Sequence, residues 1–211
     1  MIFQLSVDDA AFCFDHTSAR SNIGPFAQRE NFKGFKDLFE PRAVAFQGIE
    51  AVPVDVQAQF TSGVPAFVIV GLPDKAIKEA GERVRAALAS SGLSLPPKRV
   101  VVNLAPADLP KEGSHYDLPI ALALMAAIGA FPADAIDGYV ALGELGLDGR
   151  LAPTNGVLPA AIAAHARDLG LICPEPSGAE AAWAGDDIEI VAPESLLALV
   201  NHLGGYQLCS R

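Results

Sequence analysis

Residues 99–130 decide the fold, and they read RVVVNLAPADLPKEGSHYDLPIALALMAAIGA. The stretch begins with Arg99 to Leu104, whose β-branched side chains predict a buried strand. After a loop that contains prolines, residues 117–130 are apolar nearly all round, which predicts a helix buried against a sheet. Asp117 is in place to cap this helix, and Pro119 falls in its first turn, where the missing N–H costs little.

The residues before this stretch predict two strands and a surface helix. Residues 52–58 alternate apolar and polar side chains, as a half-buried strand requires. A turn at 61–63 leads into the apolar run 66–70, so we expect these two strands to form a hairpin. Residues 77–88 repeat apolar side chains at helical spacing and carry charges on the other face, which predicts a surface helix.

Beyond the core stretch, strands and helices alternate. Strands are predicted at 139–142, 150–152, 171–173 and 188–191, and helices at 159–169, 179–184 and 193–202. A strand hairpin in the first part of the chain and alternating strands and helices in the second part indicate the α+β class. We expect a mixed sheet with helices mainly on one face.

The chain of 211 residues is long enough for one generous domain, which we place at 42–203. Residues 1–41 differ in composition and hold seven of the eleven Phe in their first 40 positions without a regular period, so they form a candidate disordered extension. Residues 204–211 are a tail.

Composition excludes several classes of protein. The longest nearly uninterrupted apolar run, Leu118 to Phe131, is 14 residues long, shorter than the roughly 18 to 20 that a membrane span needs. Asp8 and Asp9 lie where a secretory signal would carry basic residues, so we expect a cytoplasmic protein. Three cysteines without a C-x-x-C and four histidines without ligand spacing predict neither a disulfide framework nor a metal site.

Charge is distributed unevenly along the chain. The net charge of −10 argues against a surface that attracts nucleic acid everywhere. Residues 75–111 hold seven basic and three acidic groups, a net charge of +4, whereas residues 131–211 hold three basic and eleven acidic groups, a net charge of −8. The middle of the chain is therefore locally positive.

Several motifs together resemble the ComM/YifB family of magnesium-chelatase-like AAA+ ATPases. The motifs are Gly71-Leu72-Pro73-Asp74, Glu82-Arg83-Val84-Arg85-Ala86-Ala87-Leu88, the run from Val102 to Gly113, Asp117-Leu118-Pro119-Ile120-Ala121-Leu122, Gly143-Glu144-Leu145, Leu147-Asp148-Gly149 and Gly156-Val157-Leu158-Pro159. The resemblance covers residues 44–200 and is most specific in the run from Val102 to Gly113.

This resemblance implies a fold like ribosomal S5 domain 2 and the Lon protease domain, placed at the N-terminus of the family's proteins. It implies further that an AAA+ motor follows, with ATP and Mg²⁺ bound there, and that members form hexameric rings in DNA processing, including branch migration during natural transformation. The chain holds no Gly-Lys dipeptide and hence no phosphate-binding G-x-x-x-x-G-K-[ST] loop. We therefore expect no nucleotide hydrolysis and no cofactor in this chain, which stops where the motor would begin.

The likeness to Lon raises a Lon-like serine peptidase as an alternative. Pro110 to Gly113 resembles the stretch before Lon's nucleophile, but the position of the nucleophile itself falls on Tyr116, and Ser114 comes two residues early. No lysine follows Lys111, so the expected Ser-Lys dyad is missing. A truncated fragment without a function is a further alternative.

The remaining hypothesis is a non-catalytic module that contacts DNA or assembles rings. The cations that we predict to contact DNA phosphates are Lys75, Lys78, Arg83, Arg85, Lys98, Arg99 and Lys111. The alternative for the helical cations is pairing at i,i+4, as for Lys78 with Glu82. A second alternative is a head-to-tail contact in which the positive middle segment of one copy meets the negative C-terminal third of the next. Trp183 is expected to be a packing residue.

Overall fold

The computed structural model describes residues 41–206, so the expectations for residues 1–40 and 207–211 lie outside the described residues. The strands are β1 (Arg42–Gln47), β2 (Glu50–Thr61), β3 (Ala66–Val70), β4 (Arg99–Ala105), β5 (Tyr139–Ala141), β6 (Glu144–Leu145), β7 (Leu151–Ala152), β8 (Gly170–Ile172) and β9 (Ile190–Val191). The helices are α1 (Asp74–Ser90), α2 (Asp117–Ala127), α3 (Val157–His165), α4 (Gly178–Ala181) and α5 (Leu196–Leu203). Among these helices, none is both long enough and apolar enough to cross a membrane.

Seven of the strands form one mixed sheet in the order β3-β4-β2-β1-β5-β8-β9, and β6 and β7 form a separate ribbon. The first half is mainly antiparallel, since β2 pairs with both β1 and β4. The second half is parallel, because β1, β5, β8 and β9 all run the same way. This confirms the α+β class with a mixed sheet.

The predicted hairpin between 52–58 and 66–70 is wrong. β2 forms its hairpin with β1, and the register of that pair aligns Gln47 with Glu50. β3 instead pairs in parallel with β4, where Phe67 lies opposite Val100. The physical reason is that α1 connects β3 to β4 as a crossover, which places the two strands side by side in the same direction.

The core is divided by the sheet into two apolar clusters. On β1, Ala43 and Ala45 pack with α1, α2 and α5, whereas Val44 packs with α3 and α4 on the opposite face. The expectation of helices mainly on one face therefore needs a correction: it describes the β3-β4-β2 half of the sheet, but the β5-β8-β9 half is covered on both faces. Parallel strands joined by helical crossovers are buried in this way.

An ion pair joins α1 to α2. The Arg83 guanidinium donates to both carboxylate oxygens of Asp117, with Nε 2.5 Å from Oδ2 and Nη2 3.1 Å from Oδ1. The Asp117 side chain is 0% exposed and that of Arg83 23%. Asp117 also accepts the backbone N–H of Leu145 at 3.3 Å. The expectation that Asp117 caps α2 is wrong, because its carboxylate points to α1 and β6 and no side chain caps that helix.

A glycine at the start of α3 allows Phe46 of β1 to pack beneath that helix. Gly156 adopts φ 86°, a left-handed conformation that favours glycine. A Cβ atom on Gly156 would lie 2.4 Å from Cζ of Phe46. The left-handed backbone and the lack of room for a side chain therefore both require glycine here.

Gly156→Ala is expected to lower the free energy of unfolding by about 3 kcal/mol, because it adds left-handed strain and a collision with the Phe46 ring. Urea denaturation followed by circular dichroism measures the change. The matched control is Gly129→Ala, at φ 74° with no atom within 4 Å of the added Cβ, which should cost only about 1 kcal/mol. Equal costs for the two variants would contradict the collision.

Arg83→Met is expected to lower the free energy of unfolding by about 3 kcal/mol, because it leaves the buried Asp117 carboxylate without its counter-charge. The double variant Arg83→Met/Asp117→Leu should be more stable than Arg83→Met alone, since it removes the unpaired charge as well. Urea denaturation of these two variants and of Asp117→Leu gives the comparison. Additive losses would show that the two side chains do not interact as a pair.

Candidate functional site

The loop between β4 and α2 carries the second part of the motif from Val102 to Gly113, and its lysine is buried. Lys111 is 2% exposed, and its ammonium donates to the carbonyl oxygens of Pro106 and Leu109, the latter at 3.0 Å. Burial lowers the pKa of Lys111, and the charge of Asp108 partly offsets that effect. The lysine closes its own loop, so a contact with a DNA phosphate would require these hydrogen bonds to break.

Ser114 lies in the same loop but faces a different partner. Its hydroxyl donates to the Glu144 carboxylate on β6. The Ser114 hydroxyl and the Lys111 amine are thus each hydrogen-bonded to another group. A carboxylate beside Ser114 can accept the hydroxyl proton, but the described arrangement lacks the lysine base of a Ser-Lys dyad.

The next two residues are buried aromatic side chains. His115 Nε2 lies 2.9 Å from the carbonyl oxygen of Val44, so this nitrogen donates the hydrogen bond. Burial lowers the pKa of His115, and the hydrogen bond to Val44 partly offsets that effect. Its ring lies 4.1 Å from that of Tyr116 and 5.2 Å from that of Phe46, centroid to centroid. The loop is thereby packed against β1.

Backbone hydrogen bonds attach this loop to the Gly143-Glu144-Leu145 motif. Gly143 N–H donates to the carbonyl of His115, and Leu118 N–H donates to the carbonyl of Gly143, both at 3.0 Å. The side chains of Arg83, Ser114, Asp117 and Glu144 form what we call the polar cluster, in which Glu144 also supports the charged form of Arg83. Within residues 41–206, no three His, Cys, Asp or Glu side chains are grouped to hold a metal ion.

The predicted DNA-contacting cations of α1 divide into two kinds. Arg83 is turned inward to Asp117, whereas Lys75, Lys78 and Arg85 are on the outside of the helix. Lys75 lies 3.8 Å from Glu79 at i,i+4, and Arg85 lies 3.4 Å from Glu82 at i,i+3. The Arg85 guanidinium also covers the Phe67 ring, 4.7 Å from its centroid. Exposed pairs of this kind are weak and leave the cations accessible.

Arg99 is on the other side of the sheet from α1. On β4, Val100 and Val102 pack in the cluster beneath α1, so the alternating residues Arg99, Val101 and Asn103 face the opposite side. Lys98, just before the strand, is exposed. The structure therefore does not bring the seven predicted cations into one patch: Lys75, Lys78 and Arg85 lie together on α1, and Arg99 lies apart.

Sequence reasoning missed two features that the structure shows. Glu144 was quoted only as part of a motif, although it binds Ser114. Trp183 was expected to be a packing residue, and this is wrong, because 78% of it is exposed. The small neighbours Ala182 and Ala184 offer little side chain to cover its indole ring. An alanine-rich stretch around a lone tryptophan is the only signal the sequence offered.

The comparisons with known proteins agree on one family. The family model described as subunit ChlI of Mg-chelatase matches residues 56–177, more than half of the chain. The competence protein ComM of Haemophilus influenzae is 40% identical over 163 residues, which are 77% of this chain and 32% of that protein. An uncharacterized protein YifB of Escherichia coli is 46% identical over 114 residues, 54% of this chain and 22% of that protein.

YifB of Salmonella typhimurium is 41% identical over 133 residues, which are 63% of this chain and 26% of that protein. The chain thus spans less than a third of the length of each of these relatives. The match to the family model includes the polar cluster and the whole of the loop between β4 and α2. The chain belongs to the ComM/YifB family of proteins similar to the ChlI subunit of magnesium chelatase.

Proposed function

We propose that this chain is a non-catalytic interaction domain of a ComM/YifB-type protein, with a fold like ribosomal S5 domain 2 and the Lon protease domain. In this proposal it works in DNA processing, such as branch migration during natural transformation, and joins an assembly in which the AAA+ motor, with its ATP and Mg²⁺, is the catalyst. The relative from Haemophilus influenzae is a competence protein, and this supports a role of this general kind.

One observation carries the non-catalytic part of the proposal. Three side chains in and directly after the loop between β4 and α2 have structural partners: Lys111 binds two carbonyl oxygens, Ser114 binds Glu144, and Asp117 binds Arg83. A peptidase needs its amine within hydrogen-bond distance of its hydroxyl. The same contacts stabilise the loop, which supports a structural role for the polar cluster.

Contact with DNA is the first activity that we assign to the domain. Lys75 and Lys78 are exposed in the first two turns of α1, and Arg85 is exposed about two turns later, so that all three side chains can contact phosphates from one helix. The guanidinium of Arg85 is held by the Phe67 ring rather than buried. Arg83 and Lys111, whose partners are internal, are left out of this contact.

Self-association is a second candidate, favoured by a separate observation. Between Asp168 and Tyr206 the chain has no Lys or Arg, while Glu175, Glu180, Asp186, Asp187 and Glu189 are all exposed. A negatively charged surface attracts the exposed cations of a second copy, and it repels the phosphates of DNA. This surface, unlike α1, is suited to a protein partner.

The purified chain is expected to leave casein intact over hours at neutral pH, and Ser114→Ala should behave identically. The physical reason is that the Lys111 amine is hydrogen-bonded to two carbonyl oxygens and the Ser114 hydroxyl to Glu144. Gel electrophoresis of the casein is the measurement, with Lys111→Met as a second variant. Cleavage that disappears in Ser114→Ala would overturn the non-catalytic role.

Lys75→Gln/Lys78→Gln is expected to weaken binding to duplex DNA several-fold at every sequence, and to lower the slope of log K against log salt by about 2. Fluorescence anisotropy of a labelled duplex, measured over a range of salt concentrations, gives both values. Arg150→Gln is the control, since that exposed cation lies in the β6–β7 ribbon and should leave the slope unchanged. An unchanged slope in the double variant would exclude α1 from the contact.

A further inference from the structure

The connection between β8 and β9 carries an exposed tryptophan among acidic side chains. Trp183 is 78% exposed and lies in the short 3-10 turn Ala182–Ala184, which follows α4 and packs on α3. The connection contains no Lys or Arg, and exposed acids flank Trp183 in sequence. Tryptophan is among the side chains that contribute most of the binding energy of protein interfaces. We call the following residues the negative segment: Glu180, Trp183, Asp186, Asp187 and Glu189.

The start of β3 and β4 combines an exposed apolar side chain with cations. The two strands are parallel and Ala66 lies opposite Arg99, so the residues that precede the strands are neighbours. Val64 is 83% exposed, and Pro65, Lys98 and Arg99 are also exposed. The sequence has no Asp or Glu at 56–73 or at 91–107. We call Val64, Pro65, Lys98 and Arg99 the positive corner.

The two surfaces lie at opposite edges of the sheet. Within the described residues the sheet ends at β3 on one side and at β9 on the other, six strand intervals of about 4.8 Å away. The Arg99 side chain is on the side of the sheet that α3 and α4 occupy, which is also the side of Trp183. Charges this far apart are screened from each other by salt. The negative segment and the positive corner therefore cannot neutralise each other within one copy.

We propose that copies of this chain associate head to tail, with the negative segment of one copy packed on the positive corner of the next. This inference rests on the proposed self-association and names the two surfaces that meet. Because both surfaces are on the same side of the sheet at opposite edges, they adjoin when two copies lie side by side in the same orientation. A contact between two different surfaces leaves one of each free, so it repeats from copy to copy and can close a ring, the assembly that the family resemblance implies.

Apolar and charged groups match across this contact. Packing Trp183 on Val64 and Pro65 removes apolar surface of both copies from water. The Arg99 guanidinium can lie over the indole ring, a cation–π contact that is stronger when water is excluded. The acids beside Trp183 attract Lys98 and Arg99 of the next copy. The same acids repel phosphates, which disfavours DNA as the occupant of the negative segment.

This contact leaves α1 free. The head-to-tail contact considered from sequence used the whole positive middle segment, which includes Lys75, Lys78 and Arg85 of α1. However, α1 packs on the opposite side of the sheet from Arg99. Lys75 and Lys78 thus remain available for the proposed contact with DNA, and mutations can separate the two proposed activities.

The test uses the whole chain in sedimentation velocity at low salt, over a range of protein concentrations. The wild-type chain is expected to form species larger than two copies. Trp183→Ala and Arg99→Glu are each expected to raise the dissociation constant at least tenfold. The matched controls are Leu147→Ala and Arg150→Glu, which change exposed side chains of the turn between β6 and β7 and should alter it less than twofold. Circular dichroism checks that each variant is folded.

A mixture of the two variants tests the head-to-tail geometry. Trp183→Ala keeps its positive corner and Arg99→Glu keeps its negative segment, so the mixture should form pairs with the wild-type affinity for one contact and stop at two copies. Wild-type association that ends at two copies, or a mixture that stays monomeric, would overturn the proposal.

A charge variant of α1 separates this contact from the one with DNA. Lys75→Gln/Lys78→Gln should associate as the wild-type chain does, although its binding to DNA is expected to be weaker. Association that is weakened by this double variant and not by Arg99→Glu would place the contact on α1 and overturn the positive corner.

The emission of Trp183, the chain's single tryptophan, reports on the same contact. It should move to shorter wavelength as the wild-type chain associates, and stay that of a solvated indole in Arg99→Glu alone. In the mixture only Arg99→Glu carries a tryptophan, so adding Trp183→Ala should shift its emission. An indole that is already shielded in the monomeric wild-type chain would mean that another segment of the same chain covers Trp183, and would overturn the proposal.

The remaining outcomes separate this inference from the proposed function. Association that neither Trp183→Ala nor Arg99→Glu weakens would overturn these surfaces and leave self-association standing. A wild-type chain that stays monomeric at every concentration would overturn both. An emission shift that occurs only when duplex DNA is added would overturn the inference in favour of a nucleic-acid contact.

Discussion

The Arg83–Asp117 ion pair fixes the surface helix α1 against the buried helix α2, and the surrounding elements are positioned by it. Taking a carboxylate fully out of water is costly unless its hydrogen bonds are satisfied. Burial raises the pKa of Asp117, and the bidentate contact with Arg83 and the N–H of Leu145 counteract this. The need to satisfy one buried charge thus brings together three segments that are far apart in sequence: α1, the start of α2 and the β6–β7 ribbon.

The same requirement explains why the motifs that carry the family resemblance are scattered along the chain. Arg83, Asp117 and Glu144 belong to three different motifs, yet all three are members of the polar cluster. A fourth motif supplies Gly156, which is needed for the packing of Phe46. These motifs therefore encode the fold of the domain, and the surfaces that we propose for DNA and for a second copy lie outside the polar cluster.

Local patterns predicted the elements well, but their pairing and exposure depended on distant residues. The surface helix followed from its helical periodicity, the strand at 99–104 from its β-branched side chains, and the buried helix after it from its apolar run, all of which are local properties. β1 was missed, and β2 was given the wrong partner, because strand pairing depends on the α1 crossover. Likewise, the sequence around Lys111 does not indicate that its ammonium donates to two carbonyl oxygens of its own loop.

β1 contributes side chains to both apolar clusters, and this affects the order in which the domain folds as the chain emerges from the ribosome. Most of the first cluster comes from residues before 131, so β1 to α2 can collapse while the later segments are still being synthesised. Val44, on the opposite side of β1, belongs to the second cluster, which is completed only when β5, α3 and β8 have been translated. The nascent domain therefore passes through a stage in which the Val44 side of its central strand lacks most of the cluster that later packs on it.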